Sequence, residues 1–178
     1  LWMIDSSLKN ENNEKNFLKG DLQHKHVQWV SLSDLSSLGI EYFKLDGSKD
    51  NEELERICKE RGYKNRDFKL IEKKMDKYDD FMNLFAREHL HADEEIRYVL
   101  DGSGYFDIRN RNDEWIRIHV VKGDLVILPE GIYHRYTNDI SEYIHVMRLF
   151  QDEPKWTPYD RPSDEMESRR RYIEKYYK

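Results

Sequence analysis

Two histidines one residue apart, His89 and His91, constrain this chain more than any other feature. Side chains at i and i+2 share a face only on an extended backbone, because a strand alternates faces with period two. Glu95 follows after a short polar break, and His134 arrives far downstream. Three imidazoles and one carboxylate make a mixed nitrogen and oxygen donor set suited to a divalent ion such as iron, nickel or manganese. A fold that gathers these residues must be built from strands, and the function is expected where they meet.

The 178 residues fit one domain with a sizeable core. Lys and Arg total 30 against 36 Asp and Glu, giving a formal net charge of -6 with no basic stripe, so nucleic acid is not expected as a partner. A mean hydropathy of -0.98 and the lack of a long apolar run speak against membrane insertion. The single cysteine, Cys58, cannot form an internal disulfide and suits a reducing compartment. A soluble intracellular monomer is the expectation.

Periodicity divides this domain (1–178) into three segments. Residues 1–80 read as a helical and strand segment packing on a barrel, 81–150 as the barrel core, and 151–178 as a C-terminal extension and helix. In the first, Ser33 or Asp34 caps a short turn ending at Gly39, Glu41 to Leu45 reads as a strand, Asn51 begins an acidic helix N-terminus, and a further helix is expected from Asp67 toward Asp76. In the second, strands are expected at Phe81–Glu88, Glu95–Leu100, Tyr105–Arg109, Trp115–Val121, Leu125–Leu128, Tyr133–Asn138 and Tyr143–Phe150, which argues for a sandwich or barrel. In the third, Pro154, Pro158 and Pro162 hold an extended crossing, and Ser163-Asp164-Glu165 caps a final charged helix.

On this scaffold Phe85, Arg87, His89 and His91 would share one strand face, Glu95, Arg97 and Val99 a second, and His134, Tyr136 and Asn138 a third. If all look inward, four ligands converge at one mouth with two coordination positions left for a small oxygen-rich substrate. Arg97 would supply a permanent cation for an anionic one. Plainer readings hold for other residues. Asp93 and Glu94 read as a solvated acidic turn, and His24-Lys25-His26 as polar surface. His119 and His145 have no carboxylate at a ligand spacing. Cys58 reads as a small core residue, while Tyr42, Phe43, Trp115 and Phe150 read as packing aromatics.

The pattern His89-x-His91-x3-Glu95-x6-Gly102, with Gly123-x5-Pro129-x-Gly131-x2-His134-x3-Asn138, resembles the two cupin motifs. One departure is Asn83, where a glycine usually precedes the first histidine by six residues; that glycine is a backbone device and not a ligand. Within the cupins, Glu88-His89-Leu90-His91, Asp93-Glu94-Glu95-Ile96-Arg97-Tyr98, Asp101-Gly102-Ser103-Gly104-Tyr105-Phe106-Asp107, Gly131-Ile132-Tyr133-His134-Arg135 and Met147-Arg148-Leu149-Phe150 resemble the acireductone dioxygenase family. Tyr42-Phe43-Lys44-Leu45, Pro154-x-Trp156-Thr157 and Tyr159-Asp160-Arg161-Pro162 resemble its eukaryotic-type members, so the likeness runs from about residue 31 almost to the end.

The resemblance implies a mainly β fold with peripheral helices (α+β), a cupin-type double-stranded β-barrel or jelly roll. It implies a methionine-salvage enzyme that cleaves the acireductone 1,2-dihydroxy-3-keto-5-methylthiopentene with molecular oxygen, in the cytoplasm with the nucleus as a second location. One Fe2+ or Ni2+ per chain would be held by His89, His91, Glu95 and His134. The iron form would give formate and 4-methylthio-2-oxobutanoate; the nickel form would give formate, carbon monoxide and 3-methylthiopropanoate. Arg97 matches an arginine near the substrate, and Arg148 and Tyr136 match positions lining the pocket. The alternatives on the same fold are another cupin enzyme, an isomerase or different dioxygenase, and a non-enzymatic cupin binding module.

Overall fold

A computed structural model of the chain describes residues 2–5, 27–154 and 157–178. In chain order the elements are β1 (Trp2–Asp5), β2 (Val27–Val30), α1 (Leu32–Ser37), β3 (Glu41–Lys44), α2 (Glu52–Arg61), β4 (Asn65–Glu72) and α3 (Tyr78–Phe85). There follow β5 (His89–Leu90), β6 (Glu95–Arg109), β7 (Trp115–Val121), β8 (Asp124–Leu128), β9 (His134–Asn138), β10 (Tyr143–Phe150), β11 (Tyr159–Asp160) and α4 (Glu167–Tyr176).

Strand β6 joins two halves of one sheet. Its first half, through Gly102, pairs antiparallel with β8 and β10, and its second half, from Ser103, pairs antiparallel with β7 and β9. The two strands expected at Glu95–Leu100 and Tyr105–Arg109 are therefore one. Gly102 makes the passage possible: its φ is +75°, and a Cβ there would lie 2.4 Å from the carbonyl oxygen of Tyr143, so only glycine fits. Around β6 the neighbours run β11-β5-β9-β6-β7-β1-β2 on one side, with β4-β10-β6-β8-β3 on the other. The sheet doubles over without closing, and the fold is mainly β with peripheral helices, of the cupin jelly-roll type.

Apolar alternation fixes which face looks where. Val99, Phe106, Ile108, Ile116, Ile118, Val126, Leu128, Ile144 and Val146 fill the space between the two halves. From the other face of the β8–β6–β10 half, Ile96, Tyr98, Leu100, Leu125, Ile127, Met147 and Leu149 pack on Leu54, Ile57 and Cys58 of α2. β8 is buried along its whole length, which is why Leu125–Leu128 reads as an unbroken apolar run instead of an alternating one. Cys58 and Trp115 are core residues as expected, whereas Tyr42, Phe43 and Phe150 are only half-buried.

Two elements differ in kind from the sequence reading. The helix expected from Asp67 is the strand β4, paired with β10 through eight rungs from Asn65↔Phe150 to Glu72↔Tyr143. Its alternation is inverted at its centre, with Asp67 and Lys69 turned inward and Phe68 and Leu70 exposed, so the usual apolar-in pattern was missing. The strand expected at Phe81–Glu88 is the helix α3, whose Phe81, Leu84 and Phe85 recur at helical spacing, with Asp79 and Asp80 in its first turn. Phe85 and Arg87 thus share no strand face with the histidines. Asn83 lies on this helix, which needs no glycine there.

Two helix starts also differ. Ser31, not Ser33 or Asp34, caps α1, with Asp34 completing a capping box from position N3. Asn51 caps α2 as read, and its side chain accepts from the Leu54 amide at 2.8 Å. The last helix starts at Glu167 without a side-chain cap; Ser163 instead donates to the Asp160 carbonyl at 2.6 Å. His24, His26 and Trp156 lie outside the described residues.

The outer face of the β9–β6–β7 half carries a buried charge row. The Asp107 carboxylate accepts from Arg117 at 2.7 and 2.9 Å and from Arg135 Nε at 3.0 Å. Both arginines also cover aromatic rings, Arg117 over Tyr105 at 4.7 Å and Arg135 over Trp115 at 4.4 Å. Removing the carboxylate would leave two desolvated guanidinium groups facing each other. Asp107→Ala is expected to destabilise the protein by about 3–5 kcal/mol in urea unfolding followed by circular dichroism, and a loss under about 1 kcal/mol would contradict this account.

Candidate metal centre

His89 sits on β5 directly opposite His134 on β9, Glu95 opens β6, and His91 lies just past the end of β5. The strand expected to carry both His89 and His91 is thus two residues long, yet the side chains converge. One ligand atom from each of His89, His91, Glu95 and His134 lies within 4.8 Å of the others, the one such group of His, Cys, Asp and Glu among the described residues. His91 Nε2 is 2.8 Å and His134 Nε2 3.2 Å from the same oxygen, Glu95 Oε2.

The hydrogen bonds of the far ring nitrogens decide what faces inward. His89 Nδ1 lies 2.7 Å from the Arg87 carbonyl oxygen, His134 Nδ1 3.0 Å from that of Ile132, and His91 Nδ1 3.0 Å from that of Thr157. A carbonyl only accepts, so each Nδ1 carries a hydrogen, and a ring in its neutral form then turns the Nε2 lone pair toward the cluster. Lone pairs this close to a carboxylate oxygen repel unless a cation lies among them. Donors that share an ion at about 2.1 Å and at right angles sit about 3 Å apart, which is the spacing of His91 and His134 from Glu95. The residues fit one divalent metal, of which they supply four ligands.

Electrostatics keep the set in its ligating forms. Burial, reinforced by His134, pushes His89 down to about 3, so it is neutral at physiological pH. Burial would raise the Glu95 carboxyl, but the Arg97 guanidinium beside it works the other way, and the group lies well below the usual carboxylate range. Glu95 is 9% exposed and His134 2%, so these two donors are largely withdrawn from bulk solvent.

That space is a cavity of about 290 Å³. Its ligand end meets Arg97, whose Nη2 lies 3.2 Å from Glu95 Oε1, and Arg148, held by Asp67 through two bonds of 2.6 Å. Arg97 and Arg148 are cross-strand partners, and Asp67 is opposite Arg148 on the next strand, so a row of charge crosses three strands. Phe81, Leu84, Phe85 and Tyr136 form the apolar wall, and a recess of about 70 Å³ continues between Ile71, Phe106, Ile144 and Val146.

Arg97, Arg148 and Tyr136, the three residues singled out besides the ligands, all line the cavity. Tyr136 does so with its ring. Its hydroxyl donates to Asn138 Oδ1 at 2.8 Å and packs against Gly104, where a Cβ would come within 2.1 Å; burial raises it well above its ordinary value, so it stays protonated. Sequence reasoning missed Lys69, Phe81, Leu84 and Thr157 as part of the site. Lys69 was hidden by the helical reading of β4, the two α3 residues by the strand reading, and nothing in the sequence marks a backbone carbonyl as the partner of His91. Asp93 is exposed as expected. Glu94 is half-buried and accepts from the Tyr63 hydroxyl at 2.8 Å.

Known proteins share much of this sequence and its fold. The model of the ARD/ARD' family matches residues 5–158. An acireductone dioxygenase of Branchiostoma floridae is 49% identical over 147 residues, covering 82% of this chain and 83% of the relative. The Homo sapiens acireductone dioxygenase is 51% identical over 81% of this chain and 82% of its own length. Acireductone dioxygenase 4 of Arabidopsis thaliana is 46% identical over 97% and 90%. Among solved structures, the acireductone dioxygenase from Bacillus anthracis with a cadmium ion in its active centre superposes with a TM-score of 0.65 at 23% identity. It covers 71% of this chain and 86% of that one, a likeness of fold. With a family model spanning residues 5–158 and relatives in animals and plants near half identity, the chain belongs to the acireductone dioxygenase family.

Proposed function

We propose that this chain, a metal-dependent dioxygenase by family, holds one Fe2+ or Ni2+ through His89, His91, Glu95 and His134 and cleaves 1,2-dihydroxy-3-keto-5-methylthiopentene with molecular oxygen in methionine salvage. The observation that carries the proposal is the convergence of His91 Nε2 and His134 Nε2 on one Glu95 oxygen, with His89 in the same four-residue group, at the polar end of a cavity whose other end is apolar. The cadmium ion in the active centre of the Bacillus anthracis relative supports a metal at the corresponding place. Once bound, the ion supplies an electrophilic seat for the two oxygens of the enediol and offsets their negative charge.

The protein's own part is to bind, orient and shield. Arg97 stands beside the ligand set and Arg148 beside Arg97, so an anionic enediolate finds two fixed guanidinium groups next to its seat. Asp67 keeps Arg148 from swinging away. The apolar recess takes a small thioether tail, which pins the reacting end in one orientation. Tyr136 supplies ring surface and, being protonated and bonded to Asn138, takes no proton from the substrate. The aromatic wall from α3 excludes water from a substrate that reacts readily with oxygen. A reducing, cytoplasmic setting is part of the same proposal.

His91→Ala is expected to abolish both metal retention, read by elemental analysis of the purified protein, and oxygen uptake; full turnover by a metal-free variant would overturn the catalytic assignment. Arg97→Met should keep its metal yet lose about 10- to 100-fold in kcat/KM, the equivalent of a charge-assisted hydrogen bond of about 1.5–3 kcal/mol. Reconstituted separately under anaerobic conditions and then given oxygen, the iron form should release 4-methylthio-2-oxobutanoate and formate. The nickel form should release 3-methylthiopropanoate, formate and carbon monoxide, and one identical mixture from both would refute the proposed control of product by metal.

A further inference from the structure

The three histidines are not oriented in the same way. His89 and His134 each bond a carbonyl two residues upstream, just before their own strands. His91 has no such local support: its Nδ1 reaches the Thr157 carbonyl, 66 residues away at 3.0 Å. Thr157 starts a short strap, residues 157–161, that passes over the cavity mouth, and Thr157, Pro158 and Tyr159 all line it.

What fixes the strap in place is concentrated at its end. β11 contributes only two rungs on β5, Tyr159↔Leu90 and Asp160↔His89, and both β11 residues are exposed; so short a pairing is weak by itself. Arg161 supplies most of the rest. Its amide donates to the Glu88 carbonyl at 3.0 Å, and its guanidinium donates to Glu88 at 2.8 Å and to both oxygens of Asp113 at 2.8 and 3.1 Å. The same guanidinium lies 4.9 Å from the centre of the Tyr133 ring. Glu88 and Tyr133 are the residues immediately before His89 and His134, so the clamp grips the barrel beside two ligands while its strap orients the third. Arg87 and Asp160 add an exposed ion pair at 3.0 Å.

We infer that Arg161 is a positioning residue for the metal centre: by clamping the 157–161 strap it holds the Thr157 carbonyl on His91 Nδ1, and so keeps His91 Nε2 aimed at the ion. The inference rests on the metal reading of the four-ligand site and adds to it a long-range support. It also carries a thermodynamic corollary. If strap docking strengthens metal binding, metal binding must strengthen strap docking by the same factor.

The test uses the full chain and Ni2+ as probe, with affinity measured by competition against a chelator and backbone exchange measured by hydrogen–deuterium mass spectrometry. Arg161→Ala should bind Ni2+ about 10- to 100-fold more weakly, the usual effect of losing the support behind a ligand. Arg161→Lys, which keeps charge but not the fork, should fall between. In the wild type, Ni2+ should slow exchange of the peptide covering 157–161 while β3, remote from the site, exchanges as before. Failure of the wild type to bind Ni2+ would overturn the metal reading itself. Given wild-type binding, an Arg161→Ala protein with unchanged affinity, or strap exchange indifferent to Ni2+, would overturn the clamp. Should Arg161→Ala unfold, the wild-type exchange comparison decides alone.

Discussion

The structure depends on β6 staying extended through fifteen residues while changing neighbours halfway. A strand that pairs with β8 and β10 over one half and with β7 and β9 over the other can do so only if its backbone bends sharply, and Gly102 supplies the left-handed φ at the bend. Everything chemical follows from where that strand starts. Glu95 and Arg97 alternate inward from its first residues, which puts a carboxylate under the two strands that carry histidines and a guanidinium one step deeper. The Gly102 bend is therefore what lets one strand serve both as a wall of the cavity and as the spine of the opposite half.

Within the cavity, charge is placed by backbone geometry more than by side-chain reach. The ring nitrogens are set by carbonyl groups that cannot rotate away, and Arg97 favours the ionised carboxylate despite its burial. Such an arrangement is unstable in its own terms: imidazole lone pairs and an anion gathered in a largely buried cluster gain from a cation and lose without one. Preorganisation of this sort leaves little rearrangement when an ion arrives.

The ligand set was legible because period two and the fixed spacings of two motifs are properties of the sequence itself: His89, Glu95 and His134 needed no tertiary information beyond strand alternation. β7 and β10 were legible for the same reason, with Trp115–Val121 and Tyr143–Phe150 read at the boundaries that the structure shows. β4 was not, since its inward face carries Asp67 and Lys69 to serve the cavity and its outward face carries Phe68 and Leu70. A functional demand had overwritten the apolar pattern there. α3 failed in the opposite direction, because eight residues rich in aromatics fit either period, and the docking of Phe85 against Tyr136 that decides the matter is a tertiary contact. The Thr157 carbonyl was invisible in principle, as any residue type presents one.

His134 and Arg135 are neighbours on β9, and they point to opposite faces: one toward His89, His91 and Glu95, the other into the buried charge row around Asp107. Their partners on β6 are likewise adjacent, Ile108 and Asp107. Sliding β9 by a single residue would carry the imidazole to the outside and the guanidinium inside, breaking both arrangements in one step. The charge row, which touches no substrate, thereby acts as a proofreading device for strand alignment, and a misaligned β9 would be penalised on its outer face before any metal was present to report the error.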